Sequence, residues 1–405
     1  MFAPLAGTKV IDLTQVLAGP YCSYQLALLG ADVIKVEPLD GGDWARQGGA
    51  DAELAAAGMA TGFLTHNAGK RSLAIDLKSE EGLGVVRDLA AGADVFLENF
   101  RPGTAARLGL GHDDIRALNP NIVYASLSAY GQTGPMGPRP AYDHVIQAVS
   151  GIMYLTGTPE TTPNKVGAPY VDYATGLNGA FAVLAALMER ARTGEGQRVD
   201  VSMLDSAMLL MASHLTNAKT TGAVPQAAGN NAFSGSASSG VFETQEGLLA
   251  LAANNERQFP RLAGAIGAPE LLEDTRFKDP AIRKQNAGAL RDALAAAFLR
   301  DTADNWEARL AAADVPAARV RDLGEALALD QVAVRELTSR YVLPGLGREI
   351  HAPTLGFAAN GERRRADAAP PQLGADSDGV LKDLGLSEDR IEELRAKGVI
   401  SPLQT

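Results

Sequence analysis

Three short stretches near the N-terminus, Lys9–Leu13, Pro20–Leu29 and Asp32–Val36, constrain the fold more than any other part of the chain. KVIDL and DVIKV are apolar runs of strand length, and the segment between them has helical length and stops at Gly30. Strand, helix and strand at this spacing make a βαβ unit, which requires a parallel pair and a right-handed crossover. The pattern recurs downstream. A helical pattern at Glu80–Ala91 precedes a strand at Asp94–Glu98, and one at Asp113–Leu118 precedes a strand at Asn121–Leu127. The first half is therefore predicted to be an open α/β layer structure. Aromatics make up only 5% of the chain within a 46% apolar content, so the core must be built largely from small and aliphatic side chains.

Several function classes lose support on the same residues. The first strand runs into Thr14-Gln15-Val16-Leu17-Ala18-Gly19-Pro20, without GxGxxG, and no GxxxxGK[ST] occurs, which disfavours NAD and P-loop chemistry. Histidines at 66, 112, 144, 214 and 351 show no metal-ligand spacing, so no metal site is expected. The formal charge of −11 disfavours a nucleic-acid partner. Cys22 is the sole cysteine and reads as core packing. No signal-peptide pattern and no uninterrupted apolar run near ~20 residues is found, so a cytoplasmic protein without a membrane span is expected.

The chain divides by composition. Residues 1–218 hold the α/β pattern, and 219–240 read as a linker and mobile loop ending in SGSASSG at 234–240. Residues 241–340 read as a smaller α+β domain. It opens with a hairpin, Gly240–Thr244 and Leu248–Ala252, followed by helices at Gln258–Ala265, Ala281–Arg300 and Thr302–Ala312. A strand at Val315–Val320 and a helical tract from Leu323 to Thr338 follow. Residues 341–405 close with two short helices, Ser377–Leu384 and Ser387–Ala396.

The chemistry gathers near one carboxylate. Gly176–Arg192 has helical apolar spacing and ends with Arg190, Arg192 and Gly194, which places Asp172 a few residues ahead of the first turn. The positive end of the helix dipole there favours an ionised acid, and an ordinary Asp, with a pKa of ~3.9, is ionised at neutral pH. Capping the helix is the commonest job of such a residue, and Thr175 competes for it, so the residues alone leave both roles open. Upstream, a Gly/Pro-dense loop at 131–140 leads into Tyr142 and Asp143.

VGAPYVDYATG at 166–176, GAFAVLAAL at 179–187 and GQRVDVSMLDS at 196–206 together resemble the core signature of the family III CoA transferases. DLTQVLAGP at 12–20, GADVIKVEP at 30–38, NAGKRSLAIDLK at 67–78 and ENFRPG at 98–103 are similar to that family's N-terminal motifs. The resemblance is strong over residues 1–215 and implies a large open parallel-sheet (Rossmann-like) α/β domain built from both chain ends, with 341–405 returning to it. A smaller α+β domain would lie between, and two chains would form an interlocked homodimer. It further implies acyl-CoA:carboxylate CoA transfer, with Asp172 as the nucleophile and with aspartyl anhydride and aspartyl-CoA thioester intermediates. Tyr142, Asp143 and Ala18 would support it. Val16, Ala18, Pro38, Ile75, Lys78, Asn99, Phe100, Arg107 and Tyr142 would contact coenzyme A. Acyl-CoA and a small carboxylic acid are then substrates, with no tightly bound cofactor. Backbone N–H groups near Ala18 or the 234–240 loop would stabilise the oxyanion. Lys35, Lys70, Arg71, Lys78, Arg101 and Arg107 form a set of cations suited to the anionic ADP end. Leu17 stands where some members carry Gln, Pro38 where some carry Arg, and SGSASSG where formyl-type members carry glycines; these departures argue against a formyl or oxalate substrate. The alternatives are 2-methylacyl-CoA racemisation or epimerisation, whose relatives carry a His where Tyr142 stands, and a non-catalytic CoA-binding paralogue.

Overall fold

Strands β1 (Lys9–Asp12), β2 (Asp32–Glu37), β3 (Arg71–Ala74), β4 (Val95–Glu98), β5 (Val123–Ser128) and β6 (Gln197–Ser202) pair into one parallel sheet in the order β3-β2-β1-β4-β5-β6. The computed structural model describes residues 2–231 and 236–402. Val10 lies opposite Val33 and Val95, and Ile11 opposite Ile34 and Phe96. Because side chains alternate across a strand, the valines enter one core and Ile11, Ile34 and Phe96 enter another on the opposite face. At β1, β2 and β4 both faces are covered, which is why these three strands read as mostly apolar runs.

Helix α1 (Ala18–Leu28) follows β1, α2 (Glu80–Ala91) follows β3, α3 (His112–Leu118) precedes β5, and α4 (Asp143–Ser150) follows the Gly/Pro loop. Ser79 caps α2 by accepting from Gly82 N–H, with Glu80 and Glu81 in the first turn. The longest helix, α5, spans Tyr170–Thr193 and ends at Gly194 in a left-handed C-cap. It starts earlier than the apolar spacing predicts, so Asp172 sits in its first turn and not ahead of it. Thr175 is not the cap: its hydroxyl donates to Val171 O at 2.7 Å, inside the helix. By length and composition α5 is long and apolar enough to cross a membrane. Here it packs on α1, β5 and β6. Helix α6 (Met203–Leu210) leaves β6 with Ser202 as its cap.

The chain forms two compact units. The larger combines Met1–Ile152, Val166–Ala223 and Arg335–Thr405, and the smaller combines Met153–Lys165 and Val224–Val334. These limits differ from the composition boundaries: the stretch 153–165 joins the smaller unit, and the linker tract is divided at residue 223. In the smaller unit β7 (Ser239–Glu243), β8 (Leu248–Ala252) and β9 (Ala317–Arg319) form an antiparallel sheet over a core that includes Phe242, Phe298 and Trp306. Helices α7 (Gln258–Ala265), α8 (Ala287–Phe298) and α9 (Ala303–Ala312) supply much of that core. The expected helix Ala281–Arg300 breaks at Asn286, and only its second part is α8. Residues 234 and 235 of the SGSASSG stretch lie outside the described residues.

The expected helical tract Leu323–Thr338 is also revised. Two five-residue helices fill it up to Val334, and Thr338–Val342 is a strand, β10, antiparallel to β11 (Glu349–Pro353) in the larger unit. Thr338, Tyr341 and Val342 favour the strand, and the turn Pro344–Gly347 allows the hairpin. Helices α10 (Ser377–Asp383) and α11 (Glu388–Ala396) finish the unit against the Ile11 face of the sheet.

Candidate active site

The strand order reverses between β1 and β4, and the loops leaving their carboxyl ends diverge there, which is where open α/β sheets bind ligands. A cavity of about 390 Å3 occupies that place. Val16 and Ala18 line it after β1, and Asn99 and Phe100 line it after β4. Ser128 and Met203 reach it from the ends of β5 and β6, and Tyr142 and Asp172 complete the wall. Asn99 ties the first two loops together, accepting from Gln15 N–H at 3.0 Å and donating to Gln15 O at 2.8 Å.

Asp172 is held by what caps its helix. Asp143 Oδ2 accepts from Val171 N–H at 2.9 Å and from Asp172 N–H at 3.2 Å, so the cap comes from α4 and not from α5 itself. Asp143 Oδ1 accepts from Gln147 Nε2 at 2.6 Å, and Gln147 Oε1 accepts from Val166 N–H at 2.9 Å, which fixes the incoming loop. Alongside, α1 and α5 approach closely through glycine. A Cβ on Gly176 would lie 2.8 Å from Ala18 O, and one on Gly179 would lie 3.1 Å from Cys22 Sγ. Tyr21 and Tyr173 meet edge to face at 4.8 Å beside them. The start of α1, which no side chain caps, is therefore brought next to the first turn of α5.

Burial, joined by the Asp143 carboxylate, pushes Asp172 up to about 7. This corrects the expectation of an ordinary ionised acid: removal from water and a like charge outweigh the helix dipole. The carboxylate is poised between its two protonation states at neutral pH.

Of the expected coenzyme A contacts, Val16, Ala18, Asn99, Phe100 and Tyr142 share the cavity, whereas Pro38, Ile75, Lys78 and Arg107 are outside its wall. Ile75 is fully buried in the core with Leu73 and Ile400. Lys78 and Arg107 are exposed. The cation set shrinks. Lys35 pairs with Asp43 at 2.8 Å, and Lys70 reaches Asp12 at 3.1 Å and Ser23 Oγ at 2.8 Å, all buried. Arg71 grips Asp32 at 2.6 Å and Asp383 at 2.7 Å. Lys35 and Arg71 lie within strands, and Lys70 immediately precedes β3; a charge packed inside the molecule must be paired there. Arg101 does line the cavity.

Among the described residues no group of three or more His, Cys, Asp or Glu side chains is placed to hold a metal. Cys22 is buried, and burial pushes its thiol up, away from nucleophilic use. His144 is exposed and absent from the cavity wall. Sequence reading missed Ser128 and Met203, which the rule of strand carboxyl ends could have found, and Gln147, for which no sequence signal exists.

The family model described as CoA-transferase family III matches residues 5–377. The chain belongs to that family. The match extends well past residue 215, where the motif resemblance weakens. The succinyl-CoA:glutarate CoA-transferase of Mus musculus is 33% identical over 405 residues, covering 99% of this chain and 91% of that protein. The acetyl-CoA:oxalate CoA-transferase of Acetobacter aceti is 37% identical over 349 residues, covering 84% and 88%. A crystal structure of a CAIB/BAIF family protein from Brucella suis matches with a TM-score of 0.83 at 33% identity, covering 95% of this chain and all of that one. This family III CoA-transferase is thus a transferase enzyme whose relatives are named for CoA thioesters.

Proposed function

We propose that the enzyme moves CoA from a donor acyl-CoA to an acceptor carboxylic acid with Asp172 as the covalent nucleophile. The observation that carries this reading is the place of Asp172: the first turn of α5, in the cavity at the sheet's switch point, beside the uncapped start of α1. An Asp172 oxygen attacks the thioester carbonyl, the C–S bond breaks, and CoA thiolate leaves a mixed anhydride. Thiolate then attacks the Asp172 carbonyl, expelling the donor carboxylate and forming the aspartyl-CoA thioester. The acceptor carboxylate attacks that thioester, thiolate departs and returns to the acceptor's carbonyl, and Asp172 is regenerated. Each step exchanges one acyl bond for another, which is covalent catalysis without an external energy source. A carboxylate raised toward 7 is more basic, and so more nucleophilic once ionised, than a free one.

First-turn N–H groups of α1 at Ala18 suit the oxyanion of each tetrahedral step. Val16, Asn99, Phe100 and Tyr142 suit the pantetheine arm, and the exposed Lys78 and Arg107 suit the phosphates. Glutarate, named in the Mus musculus relative, is a dicarboxylic acid, as is the succinate of its donor thioester, so dicarboxylates of that length head the substrate panel. Leu177, Phe181 and Met188 leave an exposed apolar row on α5, which supports a homodimer.

The test is incubation with succinyl-CoA and a panel of carboxylates, trapping with hydroxylamine, and mapping of the adduct by mass spectrometry. A hydroxamate at Asp172, lost in Asp172→Ala, is expected. Solvent exchange of the α-proton of a 2-methylacyl-CoA without labelling of Asp172 would replace this reading with the racemase.

A further inference from the structure

Val16 carries a strain that the mechanism above leaves unused. Its φ is +74°, and it is the only β-branched residue among the four non-glycine residues with positive φ in the described chain. Such outliers persist only where the surroundings over-determine them, and they gather at working sites. Val16 lines the cavity with Asp172, and its backbone is gripped on both sides. Its N–H donates to Asp43 Oδ1 at 2.9 Å, and its carbonyl accepts from His66 Nε2 at 2.8 Å.

Both gripping groups are buried and backed by others. Asp43 pairs with Lys35, whose ammonium also donates to Thr14 O at 2.7 Å. Its own N–H donates to Glu37 Oε2 at 3.0 Å, and Glu37 is clamped in turn by Arg46. A carbonyl can only accept, so His66 must carry its proton on Nε2. Burial, joined by the Lys70 charge, holds the imidazole down to about 3 and therefore neutral. Its other nitrogen, Nδ1, is buried without a hydrogen-bond partner. An orphaned buried polar atom calls for an explanation, and here the ring keeps one bond at the expense of the other.

We propose that His66 and Asp43 are positioning residues that hold Val16 in its left-handed conformation and so fix the start of α1 against the cavity that Asp172 lines. The turn at Val16 sets the direction in which the chain enters Leu17, the N-cap position of a helix that no side chain caps. The N–H groups of Ala18 and Gly19 then have no intrahelical partner. This inference rests on the transferase reading for its kinetic consequence but not for the loop geometry.

The experiment compares His66→Ala, His66→Gln and the double variant Val16→Gly/His66→Ala in the full chain. Steady-state kinetics with succinyl-CoA and glutarate are one readout, and hydrogen exchange over residues 14–24 is the other. Loss of the grip is expected to lower kcat about 10- to 100-fold in His66→Ala, with KM for the thioester little changed. Glutamine places an amide nitrogen near the position of Nε2 and should retain most of the activity. Glycine adopts positive φ without strain, so the double variant should regain roughly tenfold over His66→Ala. Wild-type kcat in folded His66→Ala, or a loss that neither glutamine nor glycine restores, overturns the proposal. Should His66→Ala fail to fold, His66→Gln carries the test, and a folded His66→Gln with a loss of about 100-fold in kcat overturns the proposal. Hydrogen exchange in the loop should be at least about tenfold faster in the variant with the weakest grip. Unchanged exchange sinks the inference whatever the enzyme turns over, whereas faster exchange in a protein that never labels Asp172 supports it and counts only against the transferase reading.

Discussion

Asp172 is pulled in two directions, by a helix start that favours its anion and by burial beside Asp143 that opposes it, and the second prevails. The free-enzyme profile of kcat/KM should therefore fall on the acid side with a midpoint near 7. Asp143→Asn removes the like charge, so that limb should move to lower pH, provided Asn Oδ1 still caps α5; a limb that stays in place excludes the electrostatic role. Stability has the opposite sign. A carboxyl whose folded pKa lies above its unfolded value of ~3.9 contributes stability below that value and loses it as pH rises through about 7. Relative to wild type, Asp172→Asn should gain nothing near pH ~4, then progressively more, reaching roughly 2–4 kcal/mol above pH ~7. Urea unfolding across that range measures it. The motif singles out Asp172, but neither its place inside the first turn nor its titration was legible, because α5 starts earlier than its apolar spacing and Asp143, 29 residues away, comes near only on folding. Lys35 and Lys70 show the same limit: a lysine in a sequence carries no mark of a buried partner.

At the level of elements, the βαβ reading of the first half agrees with the sheet at β1, β2, β4 and β5, where a mostly buried apolar stretch adjoins a helical pattern. Strand β3 was missed: four residues opened by a charged Arg and flanked by loops carry too little pattern. Strand β10 was absorbed into a helical tract whose alternation is broken by exposed charges. The contact of α1 with α5 has no mark in the sequence, because a glycine does not name the backbone it lies against. Gly176→Ala would place its Cβ 2.8 Å from Ala18 O, a backbone atom that cannot swing away. The helices must part, which should lower stability by about 1–3 kcal/mol. Because the start of α1 moves with them, kcat should fall further than the urea midpoint alone explains. A variant that loses stability but keeps kcat would show that the contact is structural only.

Across the whole molecule, α5 leaves Phe181 71% and Met188 75% exposed. Phe181→Asp should convert a dimer into monomers, as read by sedimentation, and leave circular dichroism unchanged; a wild type that sediments as a monomer removes the homodimer from the proposal. The larger unit is assembled from three chain segments, and its outer strand is finished by the last of them. Ser72 N–H donates to Asp376 Oδ2 at 2.8 Å, 304 residues later, and Asp76 N–H reaches Val399 O at 2.9 Å. During synthesis on the ribosome, at about 5–20 residues per second, β3 must therefore wait roughly 15–60 s for the groups that cover it. Throughout that interval an unpaired strand edge is open to other nascent chains. A folding factor that shelters this edge, or slow traffic of ribosomes along the message, would then set the yield of enzyme in a cell more than the stability of the finished fold does.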